Sequence, residues 1–297
     1  MKYACIAEHR DSFPVTLLCD LLGVTRSGFY AAERRKRQPL GPRARANLQL
    51  RLKIRDAHVT SGKRYGAPKI HRELVAQGVA CGRHRVARLM RAQGWRGVCR
   101  RRVRVTTTQS AHEEPVAPNV LAREFEPARV GDRDRVWATD ITYCWTAEGW
   151  LYLAVVLDLG SRRVVGWWAD ATLDHSLPVR ALERALRLRQ PAPGLLHHSD
   201  RGVQYACAGY QAVLRAHGVI PSMSRRGDCW DNAVVESFFA TLKTELGMMH
   251  RWQTRAEARR DLGAFIDQWY NHQRRHGSLG YRSPVEYERH LAQLRIA

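Results

Sequence analysis

"VWATDITYCWTAEGWLYLAVVLDLGSRRVVGWWAD", Val136–Asp170, is the stretch on which the fold turns. Its first part, "VWATDITYCW", alternates and is rich in β-branched and aromatic residues, so it reads as a strand. "GWLYLAVVLDL" and "SRRVVGWWAD" read as two more strands, joined by the turn "LGSR". Downstream the pattern changes period. "HSLPVRALERALRLR" is an amphipathic helix, "GLLHHSD" a short buried strand ending in polar residues, and "YACAGYQAVLRAHG" a helix stopped by Gly218. "VIPSMS" is a further strand, and a long helix surrounds "RAEARRDLGAFIDQWYNHQRR". Three strands followed by alternating helix and strand predict an α/β domain with a mixed sheet, hairpin first.

Upstream the chain is helical and basic. Of 297 residues with a net charge of +21, residues 1–130 hold 27 Lys/Arg against 10 Asp/Glu, whereas residues 131–297 hold 22 against 18. Codon bias toward arginine would not concentrate the excess in one half, so the imbalance points to a polyanion-binding module. "FPVTLLCDLLGVTRSGFYAAERRKRQP" reads as two short helices broken at Gly23, with Leu17, Leu18, Leu21 and Leu22 as an apolar face that Phe29 and Tyr30 cover. A second pair occupies "RYGAPKIHRELVAQGVACGRHRVARLMRAQGW", with Val86, Leu89 and Met90 inward and His84, Arg88 and Arg91 on another face. Arg88 and Arg91, with Arg100, Arg101 and Arg102 in the tract that follows, are the candidate phosphate contacts. The expected domains are a helix-turn-helix-like segment (1–38), a basic helical DNA-binding module (39–105), a linker (106–132), and a catalytic core with a helical tail (133–297).

The seven cysteines contain no CxxC pair, which argues against a zinc ribbon and a disulfide framework. No signal core or membrane-length apolar run is visible, so the expectation is a cytoplasmic protein that does not engage the membrane.

The carboxylates supply the chemistry. Asp140 lies inside the first strand, where an acid is costly unless paired or ionised against a cation. Asp200 lies just past the strand "GLLHHSD", where α/β sheets present ligand groups. In "RRGDCWDNAVVESFFATLKTE", Val235, Phe238, Phe239, Leu242 and Leu246 make one apolar stripe, with Glu236 beside it and Lys243 on the same flank. On this reading Asp231 is a helix cap, Asp228 a turn residue and Glu245 an ordinary helix-face acid. The three remaining acids are either a site for hard divalent cations or a partnered strand Asp, a loop Asp and a surface Glu.

"WATDITY", "GWLYLAVVLDLGSRRVVGWW", "HHSDRGVQY", "SMSRRGDCWDNAVVESFFATLKTE" and "YNHQRRHGSLGYRSPVEYE" resemble the retroviral-integrase superfamily, and more closely the transposases of the insertion-sequence-three family, downstream reading frame. The 35 residues between Asp200 and Glu236 match the interval of that superfamily's Asp-Asp-Glu triad, and the offset of Lys243 matches an extra basic residue of such transposases. The resemblance spans essentially the whole chain. It departs in detail at Gly160 and in "HGSLGY", neither of which touches the triad. It implies a ribonuclease-H-like core in which Asp140, Asp200 and Glu236 hold two magnesium (or manganese) ions. It further implies cleavage and strand transfer of DNA at element ends and target, a homo-oligomer on DNA, and a nucleoid-associated bacterial protein. An upstream-frame protein would serve as fusion or partner, with this chain the downstream portion.

Other residues have plainer readings. Asp158 caps the hairpin turn, and His197 and His198 lack partners spaced for zinc, leaving His198 as a candidate support near a bound phosphate. Gly202 and Gln204 shape a loop that faces DNA, Trp230 and Asn232 pack and cap, and "RRHGSLGYRSPVEY" takes a DNA-facing or assembly role. Two competing functions are a non-catalytic DNA-binding regulator and a nuclease of the same fold that cuts without joining.

Overall fold

The computed structural model describes residues 1–37, 39, 41–98, 116–130, 133–225, 229–247 and 252–294. The chain opens with helices α1 (Lys2–His9), α2 (Val15–Leu21) and α3 (Arg26–Arg37), closed around buried Ile6, Cys19 and Phe29. The apolar face expected for α2 is rotated. Leu18 and Leu22 pack inward with Val15, while Leu17, Leu21 and Tyr30 are exposed. The reason is α1, which the reading of the sequence did not include and which covers the Cys19 side of α2.

Helices α4 (Pro42–Thr60), α5 (Ala67–Ala76) and α6 (Arg83–Ala92) form the second module. The pair α5–α6 matches expectation, with Ile70, Leu74, Val86 and Met90 buried. Helix α4 has no counterpart in the sequence reading. It buries only Leu50, Ile54, Ala57 and His58, so its first two turns show no apolar stripe. Leu50, Ile54 and Ala57 join one hydrophobic cluster with Leu151, Leu153, Val235, Phe238, Phe265 and Trp269. The helical module and the sheet thus share a core.

Part of the expected linker is structure. Residues 116–125 run along the sheet, followed by the short helix α7 (Pro127–Val130). Leu121 is buried, and the N–H groups of Val120 and Leu121 donate to Ser222 Oγ at 3.0 and 3.3 Å. The strap covers what would be an open edge.

Among the described residues the core is a five-stranded sheet in the order β3-β2-β1-β4-β5. Strands β1 (Val136–Thr146), β2 (Gly149–Asp158) and β3 (Val164–Asp170) form the expected antiparallel meander. Strands β4 (Leu196–Ser199) and β5 (Ile220–Met223) add in parallel, making the sheet mixed as expected. One face carries α8 (Ser176–Arg189), whose Ala181 and Ala185 approach so closely that a Cβ on Gly166 would collide with the Ala181 carbonyl. Helices α9 (Val203–Ala206) and α10 (Ala208–Ala216) lie on the same side. The other face carries α11 (Ala233–Glu245) and α12 (Arg255–Gly263), the latter continuing as a π-helical turn over Ala264–Tyr270. Helix α13 (Pro284–Leu294) ends the described chain. None of the described helices is long and apolar enough to cross a membrane.

The detail that builds a site is a fork. β1 pairs with β4 only over Val136–Ala138, whereas its pairing with β2 runs on to Thr146. From Thr139 onward β1 has no strand partner on its β4 side among the described residues until an isolated bridge between Thr146 and Trp252.

Candidate active site

Asp140 stands at the mouth of this fork, two residues past the last β1–β4 pair. Its Oδ1 accepts the Ile141 N–H at 2.8 Å. Asp200 follows β4 directly, and its Oδ1 accepts the Gly202 N–H at 2.9 Å. Glycine suits that loop, since a Cβ at position 202 would lie 3.0 Å from both Asp200 Oδ1 and Gln204 Oε1. Glu236 projects from the first turn of α11, exposed, while Val235, Phe238, Phe239 and Leu242 fasten that helix to the sheet.

Asn232 supplies a link that the sequence reading assigned to capping. It is the N-cap residue of α11, yet its side chain makes no cap hydrogen bond. Instead Nδ2 donates to the Thr139 carbonyl at 3.0 Å, tying the start of α11 to the residue before Asp140. One sign was legible: Asn232 and Glu236 are four residues apart, hence on one helix face.

The three carboxylates share one electrostatic neighbourhood. Burial pushes the Asp140 carboxyl well above the usual carboxylate range, and the charges of Asp200 and then Glu236 push the same way. The Ile141 N–H and Lys243 oppose them. Asp140 keeps some accessible surface, but protein surrounds its carboxyl closely enough that desolvation comes first. Among the described residues no three His, Cys, Asp or Glu close into a ready-made metal group. The donor chemistry nevertheless suits a hard cation: all three groups offer oxygen only, and crowded carboxylates are what magnesium or manganese would neutralise.

Several expected roles change. His198 is fully buried, with Nδ1 2.9 Å from Ser222 Oγ and Nε2 3.2 Å from Ser224 Oγ. It ties β4 to β5 and does not face a phosphate, and burial lowers it to about 4, keeping the ring neutral. His197 pairs with the Tyr210 hydroxyl at 2.6 Å and is lowered by burial to about 3.

Asp231 is an ion-pair centre and not a helix cap. It takes bonds from Arg225, from Arg123 Nε at 2.7 Å and from Asn119 Nδ2 at 2.8 Å, so it locks the strap to the approach of α11. The Arg225 side chain leads in holding its carboxyl well below the usual range. Glu245 is likewise more than a helix-face acid. Arg274 reaches it at 2.9 Å, Trp269 Nε1 at 3.1 Å and Lys69 at 3.9 Å. The motif around Arg274 and Arg275 therefore fastens the helical module to the core, for Arg275 also pairs with Glu73. Asp158 does cap the hairpin turn, accepting from the Ser161 N–H at 2.6 Å and the Asp134 N–H at 2.7 Å. Asp228 lies outside the described residues.

Arg88 and Arg91 are exposed on α6, as the proposed phosphate contacts require. A groove of about 620 Å³ between α4 and α6 is lined by Arg43, Ala46, His84, Arg85 and Arg88. Arg85 Nε donates to Asn47 Oδ1 at 2.9 Å across it. The groove belongs to the helical module and not to the carboxylates. Arg100, Arg101 and Arg102 lie outside the described residues.

Comparison with known proteins follows the same division. Residues 132–229 and 217–284 match two integrase core domain families, and residues 44–103 match an HTH-like domain family. The 31 kDa protein of insertion element IS600 from Shigella sonnei is 38% identical over 93% of this chain and 99% of its own length. The transposase InsF for insertion sequence IS3A from Escherichia coli (strain K12) is 39% identical over 97% of this chain and 98% of its own. A chain of the simian T-cell lymphotropic virus intasome, solved with PP2A regulatory subunit B56 gamma, covers 78% of this chain and 73% of its own, with a TM-score of 0.45 and 14% identity. That superposition is loose, and the assignment rests on the sequence relatives.

Proposed function

The chain belongs to the IS3 family of transposases, and from that premise we propose that Asp140, Asp200 and Glu236 are the catalytic carboxylates of a DNA strand transferase. The observation that carries this reading is the crowding of Asp140 by Asp200 and Glu236 at the open fork of β1 and β4. The carboxylates would hold two magnesium (or manganese) ions, which supply charge neutralisation for the attacking and leaving oxygens of an in-line displacement. This chain's own groups do the rest. The Gly202 N–H orients Asp200, and Asn232 holds the start of α11, and with it Glu236, against the Asp140 strand. Lys243, on the same flank as Glu236, binds a DNA phosphate beside the carboxylates. Water first displaces the 3′-oxygen of a phosphodiester at the element end, leaving a 3′-hydroxyl and a 5′-phosphate. That hydroxyl then attacks the phosphorus of a second phosphodiester, forming a new P–O3′ bond and expelling that strand's own 3′-oxygen as a 3′-hydroxyl.

Arg88, Arg91 and the α4–α6 groove hold the DNA backbone, outside the reacting centre. Joining two element ends to a target requires more than one reacting centre, which favours a homo-oligomer on DNA, with the upstream-frame product as fusion or partner and the nucleoid as the place of action. The test is magnesium-dependent nicking and joining of element-end DNA by Asp140→Asn, Asp200→Asn and Glu236→Gln variants. Loss of both steps in each variant is expected; retained activity in any of them removes that residue from the metal site. Joining of a pre-nicked substrate separates a strand transferase from a nuclease of the same fold.

A further inference from the structure

The groove between α4 and α6 holds one arginine that differs from its neighbours. Arg43, Arg85 and Arg88 gather there with His84, and among the described residues no carboxylate lies within ion-pair distance of the three guanidiniums. Arg43, His84 and Arg88 are exposed, as adaptable phosphate contacts are. Arg85 is half-buried, one residue before Val86, which is fully buried and pins α6 to its module. Its Nε donates to Asn47 Oδ1 of α4 at 2.9 Å, across the groove. An arginine can only donate, so this bond also fixes which end of the Asn47 amide faces it. Asn47 lies in the part of α4 that precedes its first buried residue, Leu50.

Two observations point to a base as the partner of Arg85. The first is orientation. The Asn47 bond spends Nε and holds the guanidinium plane in one attitude, which leaves Nη1 and Nη2 as a fixed fork. Phosphate oxygens can be met from many directions, and exposed Arg88 stands ready for them without a brace. Guanine presents O6 and N7 side by side in the base plane, and a guanidinium held in one plane is matched to them. The second observation is position. Helices α5 and α6 form a helix-turn-helix, joined through Gly78 at φ 75° and a turn in which His71 Nε2 lies 3.0 Å from the Cys81 carbonyl. The second helix of such a pair brings its N-terminal residues to base edges in the major groove, and Arg85 is the third residue of α6. Arg43 and Arg88, lining the same groove, are placed for the flanking phosphates.

We propose that Arg85, braced by Asn47, reads a guanine in the major groove of the element-end DNA and so sets part of the sequence that the protein accepts. The proposal rests on the reading of the helical module as the part of the chain that holds DNA. It divides the groove between two tasks. Arg43 and Arg88 hold phosphates of any sequence, and Arg85 gives one base pair its identity.

The test is binding of the full chain to duplex DNA without divalent metal, so that no strand is cut. Tight binders are first selected from a pool of randomised duplexes, and a guanine should emerge as required at one position at least. Replacing that guanine by 7-deazaguanine, which lacks the N7 acceptor, should weaken binding by the unaltered protein about fivefold or more. Arg85→Ala should bind the selected duplex about tenfold less tightly and be indifferent to the 7-deaza change. Arg85→Lys keeps the charge and the stem, so its fold and salt dependence should stay while the guanine preference goes. Asn47→Ala should lose part of the preference at that position and at no other. The proposal is overturned if no guanine is selected, or if the 7-deaza penalty survives in both Arg85 variants. It is also overturned if they lose equally on selected and unrelated duplexes, which would make Arg85 a phosphate contact. Arg88→Ala separates that failure from failure of the underlying reading. It should weaken binding to every duplex and reduce the salt slope by about one; no change on any duplex would mean that the module does not hold DNA.

Discussion

Glu236 and Glu245 sit nine residues apart on α11 and meet opposite surroundings. At the C-terminal end, Glu245 is enclosed by Arg274, Lys69 and the Trp269 indole, with Arg64 Nε on its backbone carbonyl at 3.1 Å. At the N-terminal end, Glu236 is exposed and adds its charge to Asp140 and Asp200, with Lys243 opposing them. Asp231 repeats the enclosed pattern two residues before α11 begins at Ala233. A carboxylate whose cations come from its own chain stabilises the fold. A carboxylate crowded by others of its kind is a liability to the fold until a ligand arrives, and such crowding is common at functional sites.

The largest expected effect tests that contrast directly. Asn at Asp140 should lower strand nicking about a thousandfold or more, as loss of several kcal/mol of metal-based stabilisation implies. The same substitution should raise the melting temperature of the metal-free protein, because it removes a buried charge that Asp200 and Glu236 oppose. A fall in melting temperature would mean that Asp140 has a structural partner. Magnesium should raise the melting temperature of the unaltered protein, more strongly at higher pH, since a raised carboxyl must lose its proton to bind the ion.

Glu245→Gln should do the reverse. Breaking a buried pair costs about 3–5 kcal/mol, and chemical denaturation should show it. Here Lys69 sharpens the comparison. Burial, then the Arg274 charge, lowers it to about 8, with Glu245 opposing, so removing Glu245 should lower it further.

A smaller effect is a pH dependence of stability. His197 and His198 are held neutral at about 3 and about 4, against an ordinary value of 6.5. The unfolded chain therefore binds more protons between these limits, and stability present above about pH 6.5 should be lost as pH falls toward 4. His198 alone accounts for on the order of 3 kcal/mol. His198→Gln should flatten the slope of denaturation midpoint against pH; an unchanged slope would contradict the buried neutral ring.

The smallest expected effect is on activity in Asp158→Asn. Asp158 is as buried as any carboxylate of the core and raised by burial to about 6. Its oxygens are nonetheless spent on Ser161 and Asp134, so nicking should stay within about tenfold of the unaltered protein, under 1.4 kcal/mol of barrier. A loss as large as that of Asp140→Asn would erase the distinction between crowded and partnered acids.

What could be read in advance followed local rules. Strand alternation in Val136–Asp170, the apolar stripe of α11 and the position of Asp200 after a buried strand depend on neighbours a few residues away, and the structure has them as expected. Helix α4 escaped because it buries apolar side chains only from Leu50 onward, leaving no stripe over its first two turns. The misread residues had distant partners. Arg64 meets the Glu245 carbonyl across 181 residues, Asn232 meets Thr139 across 93, and Arg123 meets Asp231 across 108. Their one-letter surroundings suggested only caps and helix faces.

By itself, the sequence determined the order of strands and helices from β1 to α12, the basic half and the set of acids from which a site could be drawn, because backbone periodicity and charge are properties of the chain. Which acids are enclosed by cations and which crowd one another was decided only by tertiary structure. Pairing depends on distance and burial, and those exist only once β1 has parted from β4 and α11 has been fixed across the gap.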